Sequence, residues 1–133
     1  MLERAEGRNR SEIPDLEARI LALDEELSGL DIPDRALLFN VEAYAWAILL
    51  RLRAEIFERR LEMPKSDLDV FPILQRAALI DLVEARKLRQ FCEARLLSSR
   101  DIVKVDVDGI RTMTDDRAWI RAILSRLHAQ SSS

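Results

Sequence analysis

The chain has 133 residues, 48% of them hydrophobic and 34% charged, with only three glycines and four prolines. A chain of this length supports one core, because folding removes roughly 65–70% of the surface that the unfolded chain exposes, and the composition suits amphipathic helices rather than turn-rich β-structure. A net charge of −3, from 24 acidic against 21 basic residues, leaves no excess of cations for phosphates and argues against tight nonspecific DNA binding.

Cys92 is the single cysteine and His128 the single histidine. No internal disulfide or soft-ligand metal site can be assembled from them, and no metal or other cofactor is expected. Residues 1–10 are charged and lack an apolar centre, so they read as a flexible N-terminus, neither secretory signal nor anchor, which implies a cytoplasmic chain. The apolar stretch from Ala43 to Leu50 is far short of the ~20 residues a bilayer requires, and no membrane partner is expected.

A first helix is expected from Ser11 to Leu30, opened by Ser11, Pro14 and Asp15. Ile13, Ile20 and Leu27 recur every seven residues, as do Leu16, Leu23 and Leu30, forming a seam that requires a partner helix. That helix can come from this chain or from a second copy, since bundles and coiled coils share the spacing. Gly29 and the run from Asp31 to Asp34 then open a second helix with no breaker before Met63 and Pro64, giving about 30 residues and about 45 Å. Its middle is apolar nearly all round, from Leu37, Leu38 and Val41 to Leu52 and Ile56, as befits a helix with neighbours on two sides. Trp46 joins the seam residues as an interface candidate. An exposed indole here would mark a partner surface, and a buried one would be ordinary core.

Ser66 with Asp69, and Asp81 with Glu84, have the spacing of capping boxes and start a third and a fourth helix. Val103, Val105 and Val107 alternate with Lys104 and Asp106, so a short extended segment is expected near 102–107, followed by a turn at Asp108 and Gly109. Thr114 reads as the cap of a last helix striped by Trp119, Ile120, Ile123, Leu124 and Leu127, with 129–133 as a disordered tail. The sum is an all-α bundle of about five helices, one domain over residues 11–128.

Little here speaks for catalysis. His128 lies near a helix end beside the tail, and Cys92 sits on an apolar face with no histidine nearby to generate a thiolate. Asp106, Asp108 and Gly109 have the look of a calcium loop, but Lys104 and Asp115 occupy the positions where strong ligands are needed. Arg51, Arg53, Arg59, Arg60, Arg86, Arg89, Arg95 and Arg100 could line an anion-binding surface. The interleaved acids Glu55, Glu58, Glu62, Glu84 and Glu93 favour a solvated, salt-bridged face instead.

From Phe39 to about Val107 the order of features resembles the HEPN-fold ribonuclease toxins that pair with a minimal nucleotidyltransferase antitoxin. The resemblance is carried by the alanine-rich run Ala43-Tyr44-Ala45-Trp46-Ala47-Ile48, by Met63-Pro64 through Asp67-Leu68, by Phe71 to Asp81, and by Leu88-Arg89-Gln90-Phe91. It implies a helical bundle, a toxin–antitoxin setting and RNA contacts through Arg89, Arg95 and Arg100. In active members a histidine four to six residues after an arginine completes the site, but none follows Arg95, and the one tyrosine, Tyr44, is not at the position modified in some pairs. The expectation is therefore a non-catalytic protein-interaction module that binds itself or another protein, with no catalytic residue assigned. A HEPN-type ribonuclease with an atypical site and an adaptor or chaperone-like helical protein are the alternatives.

Overall fold

A computed structural model describes residues 11–29, 32–99 and 104–131. The proposed flexible N-terminus, Leu30, Arg100 and the first two positions of the proposed extended segment lie outside these residues. Among the described residues there are six α-helices and no strand: α1 Ile13–Leu27, α2 Asp34–Glu58, α3 Val70–Arg76, α4 Leu82–Cys92, α5 Val107–Asp115 and α6 Ala118–Ser131. A 3₁₀ turn at Asp67–Asp69 leads into α3, and a 3₁₀ run at Glu93–Ser99 extends α4.

α2 is the central strut. Val41, Ala45, Ile48 and Leu52 are fully buried along it, and α1, α3, α4, α5 and the 3₁₀ run all pack against it. α6 closes the bundle through Ile120 and Leu127, both fully buried in the same core. Tyr44, Phe91 and Trp119 form a chain of edge-to-face rings, with centroids 5.8 and 6.4 Å apart, that ties α2, α4 and α6 together.

Local signals explain most boundaries. The Ser11 hydroxyl accepts the Ile13 N–H at 3.1 Å where α1 begins. Both capping boxes close: Ser66 N–H donates to Asp69, and Asp81 and Glu84 exchange backbone-to-carboxylate bonds of 2.9 and 2.8 Å. α2 has 25 residues and stops before Met63 because Arg60 takes a left-handed φ of 55°. That turn lets Leu61 N–H reach back to Ile56 O and Arg60 N–H to Phe57 O. Ala78, with φ of 61°, ends α3 the same way, through bonds from Leu79 to Leu74 and from Ala78 to Gln75.

Three expectations are corrected. Where described, the proposed extended segment is not extended: Asp106 caps α5 by accepting Gly109 N–H at 3.0 Å, so the supposed turn is the helix's first turn. Thr114 does not cap the last helix. It is buried near the end of α5 and its hydroxyl donates back to Ile110 O at 2.7 Å. The tail assigned to 129–133 is helical as far as Ser131, since nothing in His128, Ala129 and Gln130 breaks a helix.

Candidate functional site

The heptad seam finds its partner helix within the chain. Ile13, Ile20 and Leu27 are buried and Leu16 and Leu23 half-buried on α1, which packs lengthwise on α2. Between α1 and α6 lies a cleft of about 370 Å³ floored by Ile20 and Leu124. Its charged members already have partners, Glu17 with Arg51 and His128, and Arg121 with Asp24.

Beneath this cleft runs a charge network that sequence reasoning placed on the surface. Arg51 and Glu55 are fully buried, not solvated. Arg51 Nε donates to Glu17 Oε1 at 3.1 Å, its Nη1 lies 3.6 Å from Glu55 Oε2, and Arg59 Nε lies 3.4 Å from Glu55 Oε1. His128 Nδ1 is 3.3 Å from Glu17 Oε1, so α1, α2 and α6 meet through one polar network. Burial of these groups follows from the covering helices, which i,i+4 spacing along α2 cannot reveal. Nearby, the half-exposed rim gives way to a second buried pair. Arg117 Nε donates to Asp24 Oδ1 at 2.6 Å, and Nη1 and Nη2 satisfy Thr114 O, Asp24 O and the Ser28 hydroxyl.

Of the three arginines proposed for RNA, Arg100 lies outside the described residues. Arg89 is exposed in the last turn of α4. Arg95, on the 3₁₀ run, donates from Nη1 to Cys92 O at 3.1 Å and stacks its guanidinium 5.8 Å from the centre of the Trp46 ring. Its charge is spent on a helix end and an indole, and the chain's one histidine is on α6. Cys92 is fully buried, and burial pushes its thiol up to about 12, so it holds no thiolate at neutral pH.

The feature that remains is on the outer face of α2. At 3.6 residues per turn Phe39, Trp46, Leu50 and Phe57 fall within roughly 20° of one line and span about 27 Å. They are 72%, 37%, 40% and 48% exposed. At roughly 200 Å² for a whole aromatic side chain, they leave about 400 Å² of apolar surface in water, the size of patch that commonly marks a contact site. Sequence reasoning singled out Trp46 alone, because an all-round apolar helix hides which of its sides the bundle will leave open. Half-buried Glu42 and Arg53 flank the stripe on one side, and half-buried Ala43 and Ala54 flank it on the other. Glu42 accepts the Ser98 N–H, and Arg53 lies 4.0 Å from Asp67 and 5.6 Å from the Phe57 ring centre.

No family model matches the sequence, and no curated protein matches it either. Among solved structures the chain is similar to YutE, a cytosolic protein of unknown function from Bacillus subtilis, at a TM-score of 0.65 and 16% identity. The match covers 93% of this chain and 86% of that one, so the two share a fold over most of their lengths. Among the described residues no helix is long and apolar enough to cross a membrane.

Proposed function

We propose that the chain is a non-catalytic, cytoplasmic protein-interaction module built on a degenerate HEPN-like bundle, and that it engages its protein partner through the open face of α2. The carrying observation is the stripe Phe39, Trp46, Leu50 and Phe57, which leaves large side chains in water along a helix whose opposite side is buried in the core. Exposed aromatics cost solvation in a monomer and repay it in a contact. The setting of Arg95 supports the same reading, since its guanidinium is engaged by Cys92 O and Trp46 and has no histidine beside it to act as a base.

Two measurements test this. Immobilised full-length chain should retain a defined protein from its native extract, and Leu50→Glu, which places a charge in the centre of the stripe, should release it. Cleavage of single-stranded RNA by the purified chain, abolished by Arg95→Ala, would instead favour the ribonuclease alternative.

A further inference from the structure

We infer that the occupant of the α2 face is a second copy of this chain, laid antiparallel across a two-fold axis level with Ile48. The inference rests on reading that face as a docking surface and adds which partner it fits.

The stripe is close to palindromic about residue 48. In an antiparallel pair with that centre, Phe39 lies level with the other copy's Phe57, and Trp46 with its Leu50, so each large apolar side chain meets another. The flanks decide the matter, because a two-fold axis perpendicular to both helices keeps each flank on its own side. Glu42 and Arg53 share one flank and Ala43 and Ala54 the other, about 40–60° from the stripe at 100° per residue. Pairing therefore sets Glu42 of one copy beside Arg53 of the other, twice, within one residue or about 1.5 Å of level. On the opposite flank Ala43 meets Ala54, twice, and small residues there permit helix axes 8–10 Å apart, as ordinary helix packing requires. A heterologous partner would have no reason to find both charge and size repeated in mirror order along one helix.

The contact is modest. The four stripe residues alone would bury about 800 Å² over two copies, below the ~1,200 Å² of a standard stable interface until the flanks are added. A reversible dimer is expected, not a permanent one.

Sedimentation equilibrium of the full chain over a wide concentration range tests the pairing. The wild-type chain should approach dimer mass as concentration rises, and Leu50→Glu should remain monomeric. Glu42→Arg and Arg53→Glu should each weaken the dimer at least about tenfold by facing like charges, while the double variant restores it. Rescue within one copy is impossible, because the two positions stand about 16 Å apart along the helix. If Leu50→Glu fails to fold, the charge pair alone decides. A wild-type chain that is monomeric throughout, or a dimer indifferent to the charge variants, would overturn the inference. A monomer that still captures a different protein, and loses it on Leu50→Glu, would overturn self-pairing while leaving the docking surface intact. Loss of both would overturn both.

Discussion

Arg51 and Glu55 are the pair of charges set deepest among the described residues. Both are fully buried, and each depends on the other and on Glu17 and Arg59 for compensation. Arg51→Met removes one of the two cations beside buried Glu55 and leaves Arg59 as the other, so a loss of about 3 kcal/mol in urea unfolding is expected. Arg51→Met with Glu55→Leu should lose less, because no under-compensated carboxylate is then left buried. Titration gives a second set of expectations. The Arg126 guanidinium, bonded to Glu84, holds that carboxyl below its ordinary value of 4.5. Its contribution is present above pH 4.5 and is lost as pH falls through the lowered value, and Arg126→Gln should flatten that acid limb. Burial pushes the Cys92 thiol up to about 12 from 9.0, and burial with the neighbouring charge of Asp24 pushes the Tyr44 hydroxyl up to about 12 from 10.0. In both cases the unfolded chain ionises first, so stability should fall as pH rises from about 9 towards 12. Thermal melts across pH check both limbs.

The helices themselves were largely legible from caps and breakers. The two acid-based capping boxes at Ser66 and Asp81 close as their spacing implies. The misses came from signals with two meanings. Val103, Val105 and Val107 alternate as a strand would, yet Asp106 followed by Gly109 is also a cap and its third helical position, and the cap prevails. Asp106→Ala should cost about 1 kcal/mol of stability. Gly109→Ala gains helix propensity but sets a Cβ against the Asp106 carboxylate, so the two effects should nearly cancel. The end of α2 was misread because the left-handed residue there is Arg60, where a glycine would have announced the stop, and α3 ends the same way at Ala78. Ala78→Gly should therefore raise the melting temperature, by relief of about 1 kcal/mol of backbone strain.

For the molecule as a whole, the all-α bundle followed from periodicity, whereas its open and closed sides did not. The same apolar excess along α2 that implied several neighbours also contains the stripe that the described residues leave largely open, with only Arg95 set against Trp46. Periodicity reports that a side chain is apolar, and only the assembled bundle reports whether anything packs on it. The seam on α1 illustrates the converse, since a pattern equally suited to a second chain is satisfied by α2. What distinguishes the two surfaces is exposure, large for Phe39 and Phe57 and small for Ile20 and Leu27. The proposed function therefore rests on the α2 face. The most direct measurement is the solution mass of the full chain, wild type beside Glu42→Arg, Arg53→Glu and the double variant. A dimer lost in each single variant and regained in the double is the predicted result. A mass that never exceeds one chain, or a dimer unchanged in every variant, would contradict self-pairing through α2.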